Sequence, residues 1–199
     1  MLQKLIEIEI LGRSITISGK ISLKLEVAHD FEYIGTQEII IYNIAKVFHY
    51  IFGNYYINIK QERCLSRLFF LQHEYFLPEI NKQYEYDSKD IIELGGISWQ
   101  RDNFIDQTSD YESEPNSDAF QLMSFVEKNN FKLPSRLLTN RLVTMINEEK
   151  NQELLLLYLE EVAEEKYMQL ISNEKIIEDQ WEEEKIDLQK RALSVVKIL

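Results

Sequence analysis

All six glycines of this 199-residue chain stand at or before Gly96, and the 103 residues that follow contain none. Glycine supplies the backbone angles of tight turns and is costly inside helices. That distribution predicts a turn-rich, strand-rich first half and a helical second half. The expected fold class is α+β: an N-terminal antiparallel β-meander or small sheet with covering helices, followed by an acidic α-helical C-terminal region. The expected organisation is a β-rich domain over residues 1–101 with short helices, an acidic loop over 102–118, and a helical region over 119–199. Apolar stripes on those helices need a partner surface, which the core of the first unit can supply.

Local patterning is clearest near the N-terminus. Ile6, Ile8 and Ile10 alternate with Glu7 and Glu9, and Gly12-Arg13 breaks the pattern. Ile15 and Ile17 follow, then Gly19-Lys20, then Leu23, Leu25 and Val27 alternating with Lys24 and Glu26. Period-two alternation with glycine breaks predicts an antiparallel meander over residues 5–28 with one buried face. A fourth strand is expected over Gln37–Tyr42, whose side chains are mostly β-branched or aromatic.

Helical spacing appears next. Residues 44–53 predict a short helix capped by Gly53, and a strand follows over Tyr55–Lys60. Leu65, Leu68, Phe69 and Phe76 predict a helix over 62–76, ended by Pro78. Gly95-Gly96 marks a turn. Residues 102–118 hold six acids and no base, which predicts a mobile surface loop. Ser117 is an expected N-cap for a helix carrying Phe120, Met123 and Val126. A further helix is expected from Pro134 through Leu138, Leu142, Met145 and Ile146. Another is expected over 150–171, and a last one over 174–197 after a break at Ser172-Asn173.

Charge and composition narrow the function. Hydrophobic residues at 45% and aromatics at 12% suffice for a core, so wholesale disorder is not expected. The formal net charge of −12 opposes non-specific nucleic-acid binding and docking on anionic lipid. It favours protein partners with basic surfaces. No apolar run is long enough to span a membrane, and the N-terminus lacks the unbroken apolar stretch of a signal peptide. Cys64 is the only cysteine, which fits a reducing compartment. The expected location is intracellular and cytoplasmic, or a virion for a phage-encoded chain.

No stretch carries the spacing of a known catalytic or metal-binding motif, so no catalytic, cofactor-binding or metal-binding residue is expected. Cys64 and His73, nine residues apart, can form a nucleophile and base only if the fold joins them. An inert Cys64 is the stronger reading, with His49 as a packing residue among Phe48, Tyr50 and Phe52. Glu160, Glu161, Glu164 and Glu165 read as a solvated helical face. The candidate partner-binding residues are Trp181, Glu178 and Glu182, a tryptophan set among acids on an exposed helix. The competing reading packs Trp181 against residues 150–171.

Residues 6–43 run as an alternating strand, a glycine turn, a second strand and then LKLEVAHDFEYIGTQEIIIYNI. The close on Glu38-Ile39-Ile40-Ile41-Tyr42-Asn43-Ile44 resembles the strand end of the small β domain in β-rich tail and baseplate hub proteins of tailed bacteriophages. The expected helix after it and the strand Tyr55–Lys60 are arranged similarly. The resemblance implies a virion or virion-assembly protein with no catalytic residues. The expected function is therefore a non-enzymatic structural or assembly protein acting through protein–protein contacts, with homo-oligomers one form those contacts can take. The alternative is an acidic inhibitor or immunity-type protein that blocks a basic partner site.

Overall fold

The structure is a computed structural model that describes residues 5–87, 89–171 and 176–199, with side chains for all of these except 176–179. The expected break at Ser172-Asn173 lies outside the described residues. Twelve strands and four helices follow one another among the described residues: β1 (Ile6–Leu11), β2 (Ser14–Gly19), β3 (Leu23–Val27), β4 (Glu32–Ile41), β5 (Ala45–Ile57), β6 (Arg63–Phe76), β7 (Ile91–Leu94), β8 (Ile97–Gln107), α1 (Thr108–Tyr111), α2 (Asp118–Lys128), β9 (Phe131–Lys132), β10 (Arg136–Met145), β11 (Gln152–Glu161), α3 (Glu164–Ile171), α4 (Ile176–Val195) and β12 (Val196–Ile198).

The alternating N-terminal residues form a three-stranded antiparallel meander. Ile8 faces Ile17, and Ile15 faces Leu25. Ile15, Ile17, Leu25 and Val27 are buried, whereas Glu7, Glu9 and Lys24 are exposed. A two-residue turn joins β1 to β2, and Gly12 takes the positive φ of 62° that such a turn needs. Gly95 and Gly96, both at positive φ, close the β7–β8 hairpin in the same way. The C-terminal strand β12 completes this sheet by pairing with β3, giving the order β1-β2-β3-β12.

The expected helical half is not observed. The molecule is mostly β, and a second sheet runs in the order β4-β5-β6-β11-β10-β8-β7, with β9 pairing β6 in parallel. Residues 44–53 and 62–76, expected as helices, are the long antiparallel pair β5 and β6. The stretch after Pro134 is β10, and most of 150–161 is β11. Only α2, α3 and α4 remain of the expected C-terminal helices. Ser117 does cap α2, accepting the amide of Phe120 at 3.2 Å.

Two physical facts account for the difference. First, turns here do not require glycine. Tyr42 and Asn43 turn β4 into β5, Gln61 sits between β5 and β6, and Lys150 between β10 and β11, all at positive φ. Asparagine in particular tolerates the left-handed region. Second, β6 and β11 lie at the centre of the large sheet and are covered on both faces. Such strands read as continuous apolar runs, which periodicity cannot tell from buried helix. Leu154, Leu155 and Leu156 are consecutive, and all are buried.

One face of the large sheet packs on the meander. Their shared core joins Ile15, Leu25 and Val27 to Phe52, Leu71, Trp99, Leu142, Leu156 and Tyr158, and α4 adds Leu188, Ala192 and Val195. The opposite face meets α2 through Ile51, Leu68, Phe70, Leu122, Val126 and Leu137. Beside α2, the irregular strap 77–87 crosses the same face and stacks Tyr84 on Phe76 at 4.2 Å between ring centres. The stretch 102–118 is not a loop throughout. Asp102–Gln107 belong to β8, Thr108–Tyr111 are α1, and only the turn between α1 and α2 is irregular.

Candidate functional site

The face of the large sheet beneath α2 and the strap carries polar side chains where a sandwich core would carry apolar ones. Strand alternation puts them there. His49 of β5 stands opposite Gln72 of β6, and Glu74 of β6 opposite Glu153 of β11. Arg141 of β10 lies opposite Asp102 of β8. His49, Gln72, Glu74, Thr139 and Glu153 are all buried.

A hydrogen-bonded chain runs from Gln37 through His49 and Gln72 to Glu74 and Asp118, and Glu153, Thr139 and Arg141 make separate pairs beside it. The Gln37 amide donates to His49 Nδ1 at 2.7 Å, and His49 Nε2 donates to Gln72 Oε1 at 3.0 Å. Both ring nitrogens are thus used by a neutral imidazole, and burial lowers its pKa to about 4. Gln72 Nε2 donates to Glu74 Oε2 at 2.9 Å and to Asp118 Oδ2 at 3.3 Å. Tyr84 on the strap donates to Glu74 Oε1 at 3.0 Å, and Tyr86 donates to Glu153 Oε2 at 2.8 Å.

Glu74 and Glu153 are directly opposed carboxyls in a buried sheet, an arrangement that disfavours two charges. Burial, and then the neighbouring acids, raise Glu74 to about 7 and Glu153 to about 8. The tyrosine hydroxyls are held above their ordinary value, chiefly by burial and the adjoining carboxyls. Strap and sheet are therefore latched by two tyrosine–carboxyl contacts; the hydroxyls favour the ionised acids, and burial together with the neighbouring acids outweighs them.

Beyond Gln72 the face opens into a cavity of about 190 Å³ under α1 and α2. Its floor is Phe70, Leu155, Leu157 and Leu159, and its walls include Asp106, Tyr111, Asp118, Thr139 and Arg141. Thr139 Oγ1 donates to Asp106 Oδ2 at 2.7 Å, and burial holds the Asp106 carboxyl above its ordinary range. Arg141 pairs with Asp102 at 2.7 Å, between the rings of Tyr86 and Phe104. Among the described residues, no group of three or more His, Cys, Asp or Glu side chains is arranged to hold a metal ion.

Cys64 and His73 do not come together. Both lie on β6, so nine residues of extended chain separate them by about 30 Å. Cys64 is only partly buried, on a strand and not a helix face. Glu160 is a strand residue with a side chain 12% exposed, gripped by Arg191 at 2.6 Å, and not part of a solvated helical face. Trp181 is half-buried against the main core, and the Lys185 ammonium lies 5.4 Å from its ring centre. Glu182 is exposed and pairs with Lys185 at 2.6 Å. The Glu178 side chain lies outside the described residues.

Reasoning from sequence missed Glu74, Glu153, Asp106 and Asp118 as members of one site. A signal was present: Gln72-His73-Glu74 interrupts an apolar run, and Gln152-Glu153 opens another. Polar residues inside a doubly covered strand need partners, and that need points to a network.

A second feature lies at the sheet margin. β4 is an edge strand of ten residues, paired with β5 on one side and with no strand on the other among the described residues. Its bulge falls at Tyr33/Gly35 and leaves Thr36–Ile41 in regular register. Ile40 is 55% and Tyr42 47% exposed.

No protein-family model, curated protein or solved structure matches the chain. Among the described residues no helix is long and apolar enough to cross a membrane.

Proposed function

We propose that this chain is a non-enzymatic structural or assembly protein that acts through protein–protein contacts, and that it receives its partner at the edge of β4. The open, regular stretch Thr36–Ile41 carries the reading. Sheet proteins commonly blunt such edges with lysine, proline or a covering element. This stretch has neither lysine nor proline, and its exposed Ile40 gives an incoming strand something apolar to cover. The strand carries Glu32, which accepts from Tyr55, and Glu38, which pairs with Lys46, in a chain of net charge −12, so a segment with basic side chains is the favoured occupant through the overall charge. The finer reading, a component of a phage particle, rests on the phrase Glu38–Ile44. That phrase forms the end of β4 and its turn. The helix that was part of the resemblance is strand β5 instead.

The experiment is association with and without an edge block. Self-association is followed by light scattering, and capture from lysate of the source cell by mass spectrometry. Ile40→Lys should abolish the association and leave the melting temperature unchanged. Leu11→Lys, the same change at a 79% exposed position on the other sheet, should leave association intact. Association that survives Ile40→Lys, or a wild-type chain that associates with nothing, overturns the proposal.

A further inference from the structure

The cavity beneath α2 has a specific chemistry. Its floor is leucine and phenylalanine, and its polar groups stand on the walls. At about 190 Å³ the cavity is large enough for several waters or one small organic molecule. Waters over the leucine floor would lack the two to four polar partners that buried water requires. An occupant with an apolar body and a polar head satisfies both surfaces.

The charge of the walls selects the head. Asp106 and Asp118 make no ion pair among the described residues. Asp118 receives only its own helix amide Ala119 N at 2.8 Å and the long contact from Gln72. Arg141 is the one base on the wall, and Asp102 already neutralises it. His49 is neutral, with both ring nitrogens engaged. Of the segment 108–118 above the cavity, Tyr111 and Asp118 reach the lining, whereas Asp110, Glu112 and Glu114 face solvent. Acids converging on a low-dielectric pocket concentrate cations there.

We propose that this cavity binds a small organic ammonium ion, its charged head between Asp106 and Asp118 and its apolar part on Leu155, Leu157 and Leu159. The site is separate from the β4 edge and does not depend on the partner contact there.

The test uses the full chain and four probes of one size: n-butylammonium, 1,4-diaminobutane, n-butanol and n-butyrate. Methyl NMR reads the position of binding at Ala119, Leu122, Leu155 and Leu157, and calorimetry reads affinity. The amines should shift those methyls and bind one per chain. Asp118→Asn and Asp106→Asn should each weaken the binding by about tenfold or more, as expected for loss of a charged hydrogen-bond partner. Glu183→Gln on α4, an equal charge change at an exposed position, should leave affinity unchanged. Melting curves establish that each variant is folded, and Asp118→Asn retains the acceptor that caps Ala119. Three outcomes overturn the proposal: no methyl shift with either amine at roughly 10 mM, equal shifts from n-butanol, or preferential binding of n-butyrate through Arg141.

Discussion

Glu74 and Glu153 concentrate the strain of this fold in two side chains. Each is buried and each faces the other across a strand pair; Glu74 gives up part of its solvation for the Tyr84 hydroxyl and the Gln72 amide, and Glu153 for the Tyr86 hydroxyl. Their acidity is lower in the folded chain than in the unfolded one, where the ordinary value is 4.5. Between about pH 4.5 and 8 the native state therefore holds protons that the unfolded state has released. Stability is fully present below the unfolded value and falls as pH rises through the folded ones. Urea unfolding at steps from pH 5 to 9 should show a loss of several kcal/mol across that window. Glu153→Gln keeps the shape and an acceptor for Tyr86, so it should remove much of the slope and leave the protein more stable at pH 8. Stability that rises with pH over the same range would contradict the buried pair.

At the scale of elements, one-sided and two-sided strands behave differently. β3 is one-sided: Leu25 is buried and its neighbour Lys24 is exposed. Leu25→Asp should unfold or aggregate the chain, because an unpaired buried carboxylate costs several kcal/mol. Lys24→Asp should fold normally, and equal effects of the two in a thermal melt would refute the register. Helix α4 is held to β11 by Arg191, which takes both oxygens of Glu160 and also reaches Glu184. Arg191→Met should leave Glu160 with only the Tyr158 hydroxyl and cost roughly 1–2 kcal/mol, less than a fully buried pair because the Arg191 side chain is 39% exposed. Trp181 lies on the same helix, half inside the core. Trp181→Ala should lower the melting temperature by several degrees, an effect on the order of 2 kcal/mol for a partly buried indole. A melting temperature unchanged by that substitution, with association lost, would place Trp181 in an interface instead.

At the scale of the whole molecule, β12 pairs with β3 and Leu199 N donates to Lys24 O at 2.9 Å, so residues 196–199 complete the sheet of β1, β2 and β3. The main core draws on both sheets and on α3 and α4. Unfolding should therefore be a single cooperative transition, with near- and far-ultraviolet circular dichroism changing together. Removing residues 196–199 exposes the edge of β3 above Leu25 and Val27, and should lower the melting temperature by about 5 °C or more. Two separated transitions, or a truncation without effect, would show that the sheets fold independently.

The sequence by itself determined the meander, the Ser117 cap, the Gly95-Gly96 turn and a C-terminal helix, because each is a local matter. Alternation fixes which face of a one-sided strand is buried, and a cap or a glycine turn acts within four residues. Only the tertiary structure decided the rest. Residues 44–76 and 134–161 carry apolar side chains on every side because the large sheet is covered on both faces, and that coverage is supplied by segments far away in sequence. The same holds for the polar face. Glu74 and Glu153 are 79 residues apart in the chain and become neighbours through strand register alone. Asp106 and Asp118 read as part of an acidic solvated stretch until β8 and α2 turn them toward one cavity. Local chemistry fixed each residue's needs; the long-range pairing of strands chose which partners meet them.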